Sequence, residues 1–406
     1  MRTVEPESVG LSSSRLERIG EHLQGRYLEP GKIPGTLTLV ARRGEVCYFE
    51  KAGSRDLERD LPMEDDTIFR IYSMSKPITS VALMQLYERG MFALKDPVHR
   101  FIPEWKNLQV FKGGSWPLYL TEPCTSTMTV RDLLTHMSGL TYGFTRATNV
   151  DYGYRKTNVQ VARPGYTLRD MIEELAALPL EFQPGTAWNY SVSTDVVGYL
   201  VEVLSGQPFD EYLKEHIFGP LGMVDTAFSI APEKEERFAS CYQRNLDKSL
   251  GLQDDARASD FRDRSFFGGG GGLVSTAGDY YRFCQMLRNG GELDGARILG
   301  PRTLKMMTSN HLPDGGDLTR WARDGFSETT NEGIGFGLGF ASRVDPVANA
   351  TLSSKGEYHW GGMASTLFWV DPVEDLVVIF MTQLIPSGTF DFRGQLQSLV
   401  YSAIID

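Results

Sequence analysis

Segments with strand character lie at the two ends of this chain, and segments with helical character lie between them. Near the start, residues 36–41 and 46–50 read as strands around a short Arg42-Arg43-Gly44-Glu45 turn. Near the end, residues 334–340, 365–370 and 376–382 read the same way. The last two are joined by Asp371-Pro372-Val373-Glu374-Asp375, a hairpin turn. Between them, apolar residues recur at helical spacing over 73–89, where Ile78, Val81, Met84 and Leu86 share a face and Gly90 closes the segment. Thr129 can cap a helix carrying Leu133 and Leu134, and further helices are expected over 168–178, 195–204 and 277–288. A capping box from Ser14 to Glu17 opens an N-terminal helix, and residues 395–405 form a closing one. This order predicts an α/β domain built from both ends (1–70 with 270–406) and interrupted by a mainly helical domain (71–269), with the active site at the junction.

The chain has 406 residues and a formal charge of −11, with 41% hydrophobic and 23% charged residues. Those fractions belong to a folded protein, not a disordered or fibrous one. The acidic balance argues against nucleic acid and anionic membranes, which need basic patches. The first residues lack a basic stretch followed by an apolar run, and no stretch of about 18 apolar residues occurs. A cytoplasmic chain without a membrane span is therefore expected. Cys47, Cys124, Cys241 and Cys284 form no CxxC pair, and free thiols are expected. The six histidines form no HExxH or H-x3-H pattern, so no metal and no cofactor are expected. The glycine run 268–272 lacks the Gly-Lys-Ser/Thr of a phosphate loop and reads as a close-packed turn.

Chemistry concentrates at three places. Ser73-Met74-Ser75-Lys76 is an S-x-x-K element. Residues three apart share a helix face, so Lys76 can turn its amine towards the Ser73 hydroxyl. A serine hydroxyl is a poor nucleophile and needs such a base. About a hundred residues later, a Pro184-Gly185 turn delivers Tyr190 just before a helix. A buried tyrosine beside a lysine can have its phenolate favoured and serve as a general base; the other reading of a single tyrosine is packing. Third, His359-Trp360-Gly361-Gly362 precedes a strand, where two glycines let the backbone approach a ligand. No Gly-x-Ser-x-Gly elbow occurs, so Ser73 is the motif-supported nucleophile.

These elements, in this order, resemble the serine hydrolase superfamily of class C β-lactamases and penicillin-binding D,D-peptidases, and more closely its family VIII carboxylesterases. Leu133-Leu134-Thr135-His136-Met137-Ser138-Gly139-Leu140, Pro220-Leu221-Gly222-Met223 and Gly270-Gly271-Gly272-Leu273-Val274-Ser275-Thr276 resemble supporting segments of that family. The resemblance implies a β-lactamase/transpeptidase-like fold, an antiparallel sheet flanked by helices with an inserted helical domain. It implies Ser73 as the acylated nucleophile, Lys76 as its activator, and Tyr190 as general base in acylation and proton donor to the leaving group. It places the oxyanion hole at the backbone N–H groups of Ser73 and Met363, and substrate contacts at Trp360, Gly361, Gly362 and His359. Two departures stand out. The position two beyond Tyr190 is Val192 where β-lactamases carry Asn, and Trp360 stands where they carry the Lys of Lys-Thr-Gly. Losing that cation, and an amide at 192, favours a neutral, apolar ester (short-chain or aryl acyl) over a β-lactam or a peptide carboxylate. A β-lactamase, a D,D-peptidase and an acyltransferase to an alcohol acceptor remain alternatives on the same acyl-enzyme. Segments 104–127 and 142–166 carry Trp105, Trp116, Tyr119, Tyr142, Phe144, Tyr152 and Tyr154, which suit an aromatic pocket wall or ordinary core packing equally.

Overall fold

The computed structural model describes residues 1–161, 163–323 and 326–406. At its centre is an eight-stranded sheet. Three strands come from the start of the chain: β1 (Gly35–Arg42), β2 (Glu45–Asp56) and β3 (Leu61–Pro62). Five come from the end: β4 (Ile334–Phe336), β5 (Ala341–Arg343), β6 (Tyr358–Gly361), β7 (Leu367–Asp371) and β8 (Leu376–Met381). Their order is β4-β5-β6-β7-β8-β1-β2-β3, and neighbours run antiparallel. The two ends of the chain meet at β1 and β8, with Leu39 opposite Ile379 and Ala41 opposite Val377.

Five helices position the site: α1 (Ser13–Leu23), α2 (Ser75–Glu88), α3 (Ser193–Ser205), α4 (Ala277–Arg288) and α5 (Phe392–Tyr401). One face of the sheet packs Val40, Val378 and Phe380 against Leu16 and Ile19 of α1 and Leu396 and Val400 of α5. The other packs Leu37, Val377 and Ile379 into the cluster that holds Phe283 of α4 and Val81 of α2. Every residue of β8 is therefore buried, and that strand reads as an unbroken apolar run although its partners are antiparallel. Helix α2 is buried from Ser75 to Leu86, so it shows no polar stripe.

Local signals account for most boundaries. Thr276 accepts from the Asp279 N–H and starts α4, and Thr129 with Asp132 completes a capping box. The box expected at Ser14 does not form. The helix starts two residues earlier, with Ser12 as its N-cap, and Glu7 accepts from both the N–H and the hydroxyl of Ser13 at 2.8 Å. Of the expected strand over 334–340 only 334–336 is strand (β4); residues 337–340 turn the chain into β5, which begins at Ala341. Its alternating glycines leave room for a neighbouring segment: a Cβ on Gly337 would lie 2.1 Å from the Met307 carbonyl. The middle of the chain, expected to be mainly helical, also carries two hairpins, Gln109–Ser115 with Leu118–Pro123 and Cys241–Arg244 with Leu250–Asp254. Among the described residues no helix is long and apolar enough to cross a membrane. Cys47, Cys241 and Cys284 are buried thiols, and Cys124 is half-buried.

Candidate active site

The chain turns sharply into α2. Tyr72 takes φ +40°, an uncommon conformation for a bulky residue and one that holds backbone strain. Ser73 follows in a single 3-10 turn, Tyr72–Met74. The turn is pinned from outside: the Tyr280 hydroxyl of α4 donates to the Met74 carbonyl at 2.9 Å, and the Ile71 N–H donates to the Leu273 carbonyl. One turn further on, the buried Lys76 amine donates to Ser73 Oγ at 3.2 Å and to the Gly270 carbonyl at 2.5 Å. It also lies 4.6 Å from the ring centre of Tyr190 and 5.3 Å from that of Tyr142. Burial pulls its pKa down to about 8, although the charges of Asp195 and Glu328 act the other way.

The glycine run is part of this site. The Thr79 hydroxyl donates to the Gly269 carbonyl, and the Gly270 N–H donates to Asp195 Oδ1 at 2.9 Å. A Cβ on Gly270 would lie 2.6 Å from Asp195, so the close approach requires glycine. Asp195, on α3, also accepts from Gln160. The run is thus a backbone bracket between α2 and α3 with Lys76 on its inner side.

Tyr190 reaches the same point from the loop before α3. Its ring packs against Trp360 at 5.4 Å, Tyr142 at 5.2 Å and His136 at 5.1 Å. The His136 Nδ1 pairs with the Ser191 hydroxyl, and the Asn189 N–H donates to the His136 carbonyl. The Leu133–Leu140 segment therefore braces the tyrosine loop. Burial drives the Tyr190 phenol well above its ordinary pKa, with Glu328 adding to this, while the nearby Ser73 hydroxyl and Trp360 indole oppose it. The hydroxyl completes no aligned hydrogen bond among the described residues, and neither does the Trp360 indole N–H. Two buried polar atoms on packed rings near Ser73 thus have no partner among the described residues.

The third wall is the bend after β6. Gly362 passes so close to the turn before Ser73 that a Cβ would lie 2.3 Å from the Ile71 carbonyl. Met363 follows it. Among the described residues neither the Ser73 N–H nor the Met363 N–H donates to another group. Ser73 and Met363 line one cavity of about 300 Å³, together with Tyr142, Phe144, Phe326 and Glu328. Of the seven aromatic residues in the inserted segments, Tyr142 and Phe144 line it, whereas Trp105 and Tyr154 are core.

His359 is placed elsewhere. It is fully buried on the strand face opposite Trp360, with Nδ1 2.7 Å from Glu357 and Nε2 2.9 Å from the Thr329 hydroxyl. It lines a neighbouring cavity of about 580 Å³ with Arg343 and Arg393, which shares Glu328 with the Ser73 cavity but is not lined by Ser73, Lys76 or Tyr190. Gly361 faces that larger cavity too. Glu328 and Arg264, which line the Ser73 cavity, carry no motif; both sit in irregular polar segments, and proximity in space is the only signal for them.

The fold and this arrangement define a serine hydrolase. A family profile described as Beta-lactamase matches residues 21–400, and the chain belongs to that family. Protein Rv1367c of Mycobacterium tuberculosis (strain ATCC 25618 / H37Rv) is 34% identical over 368 residues, 89% of each chain. Esterase EstB of Burkholderia gladioli is 30% identical over 404 residues, 95% of each chain. The structure of EstCE1, a hydrolase with promiscuous acyltransferase activity, superimposes with a TM-score of 0.78 at 24% identity and covers 97% of this chain and 98% of its own. The LovD6 mutant of simvastatin synthase from Aspergillus terreus gives a TM-score of 0.80 at 25% identity, covering 96% of this chain and 97% of its own.

Proposed function

We propose that this protein is a carboxylesterase that cleaves small carboxylic esters through an acyl-enzyme on Ser73, working at the junction of the two parts of the chain, 1–70 with 270–406 and 71–269. The observation that carries the reading is the placement of Ser73 Oγ 3.2 Å from a buried Lys76 amine, in a cavity lined by Ser73 and Met363, whose N–H groups have no partner among the described residues. A reacting carbonyl set against Ser73 can direct its oxygen at the Ser73 and Met363 N–H groups, which match the charge developing in a tetrahedral intermediate.

The proton path follows from the pKa directions. With the Tyr190 phenol held neutral, the resting base is the Lys76 amine rather than a phenolate. Ser73 attacks the ester carbon as its proton passes to Lys76. Tyr190 gives its proton to the departing alkoxide, and the Lys76 ammonium restores it. Water then attacks the acyl-enzyme, its proton returns through the same pair, and Ser73 leaves with a proton. Tyr190 is thus a donor and relay more than a free base.

Transfer to an alcohol is a second reading, favoured by relatives such as Acyltransferase calJ of Penicillium decumbens at 29% identity. It shares the acyl-enzyme and differs in what attacks it. The test is intact-mass detection of an acyl adduct from a short-chain 4-nitrophenyl ester, mapped by peptide analysis. An adduct on Ser73, absent from Ser73→Ala together with turnover, is expected. Wild-type turnover in Ser73→Ala would sink the reading.

A further inference from the structure

The overall charge and the loss of a lysine to Trp360 predict a neutral substrate. The Ser73 cavity nevertheless contains a cation that neither consideration covers. Arg264 lines it, in the irregular segment that leads into the glycine bracket. Its cationic neighbours are neutralised: Arg70 pairs with Asp254 at 2.6 Å, Arg257 with Asp255 at 2.8 Å and Arg262 with Glu235 at 2.6 Å. Arg264 has no carboxylate within 4.0 Å, and its side chain donates no hydrogen bond, among the described residues.

The side chain is nonetheless held in place. Its guanidinium carbon sits 3.5 Å from the ring centre of Phe261, and its backbone N–H donates to the Ser229 hydroxyl at 3.0 Å. Stacking fixes the plane of a guanidinium without using its N–H donors. Burial lowers its pKa to about 10, so it stays charged at neutral pH. The carboxylates of the cavity do not quench it at contact distance. Asp195 is occupied by Gln160 and the Gly270 N–H, Glu328 accepts from the Ser387 hydroxyl, and Asp260 is exposed. Lys76 is committed to Ser73 and the Gly270 carbonyl.

We propose that Arg264 is a substrate-recognition residue that binds a carboxylate carried by the ester, so that the preferred substrates are half-esters or acid-bearing esters rather than neutral ones. A planar fork that has no carboxylate partner among the described residues, at the wall of the cavity that holds Ser73, suits bidentate carboxylate binding. The inference rests on the esterase reading above and narrows its substrate class.

Two matched substrate pairs test it. One places the charge on the acyl side: 4-nitrophenyl hemiglutarate against 4-nitrophenyl pentanoate. The other places it on the alcohol side: the butanoyl ester of 4-hydroxybenzoate against that of its methyl ester. The quantity is the ratio of kcat/KM, anionic over neutral, in wild type and in Arg264→Gln. Intrinsic reactivity and the amount of folded enzyme both cancel in the comparison. In one of the pairs Arg264→Gln should lower the ratio about 10- to 100-fold, the range for a hydrogen-bonded charge. Arg264→Lys, which keeps the charge but not the fork, should fall between. In the wild type, added salt should lower kcat/KM for the anionic ester more than for the neutral one. Ratios unchanged by the substitution in both pairs, with Ser73 still acylated, overturn this inference and leave the esterase reading standing. A wild type that cleaves none of the four esters overturns both.

Discussion

The protonation state of Lys76 makes a quantitative prediction. Burial brings its pKa from 10.5 to about 8, which corresponds to roughly 3 kcal/mol favouring the neutral amine. At pH 7 about one amine in ten is then neutral, against about one in three thousand for an unperturbed lysine. If the neutral amine takes the Ser73 proton, kcat/KM should climb about tenfold from pH 7 to a plateau above pH 9, with its midpoint near the Lys76 value. The sign can be tested with one substitution. The Asp195 and Glu328 charges hold the Lys76 pKa up. Glu328→Gln removes one of them while keeping a group that can pair with Ser387. The alkaline limb should therefore move to lower pH. Acid release from a short-chain ester, followed in a pH-stat between pH 6 and 10, measures both curves. A flat wild-type profile, or a limb that moves to higher pH in Glu328→Gln, would refute the assignment of Lys76 as the base.

Two further expectations concern the backbone and the buried charges. Gly362→Ala would push a Cβ to 2.3 Å from the Ile71 carbonyl and 2.4 Å from the Thr366 hydroxyl. Displacing the Met363 N–H should cost on the order of 10² in kcat, the loss seen for one oxyanion donor; an unchanged kcat would remove Met363 from that role. Glu357 is buried between His359 at 2.7 Å, Arg343 at 3.2 Å and Gln397 at 2.8 Å. Burial alone would raise its pKa, but the His359 hydrogen bond and the Arg343 charge outweigh it and bring the carboxyl to about 2. A folded pKa below the unfolded value of 4.5 gives stability that is present above pH 4.5 and lost as pH falls towards 2, roughly 3 kcal/mol in all. His359, held down at about 4 chiefly by burial, adds a slope of the same sign between pH 6.5 and 4. Glu357→Gln should lose about 3–5 kcal/mol in denaturant unfolding at pH 7 and flatten the acid side of the stability curve. Wild-type stability at neutral pH in that variant would contradict the account.

Where the sequence was informative, the information was local. The α4 helix over 277–288 was legible because Thr276 caps it and Asp279 answers within one turn. The S-x-x-K element was legible because three residues of helix bring serine and lysine together whatever surrounds them. The Ser14 box failed because Glu7, from outside the helix, offered a better acceptor to Ser13. His359 shows the limit of adjacency: one residue from Trp360, it lies on the opposite face of the same strand. Arg264 and Glu328 were invisible, because 191 and 255 positions separate them from Ser73 and their neighbours have no repeating pattern. The alternating glycines over 333–339 are visible in the sequence, but not what packs on them: the Met307 carbonyl at Gly337, the Asn310 side chain at Gly335 and Ser80 at Gly339.

The anchor of Lys76 has a directional consequence. A peptide carbonyl can only accept, and it does not titrate near neutrality. Gly270 therefore takes an N–H from Lys76 both before and after the amine loses its proton. The lone pair that appears on deprotonation cannot point at Gly270 and is left to turn towards the Ser73 hydroxyl. A carboxylate in that position would have held the proton on the amine, and a hydroxyl could have donated to the lone pair and capped it. Because the contact belongs to the main chain, a side-chain substitution at 270 can displace the carbonyl but cannot change its chemistry.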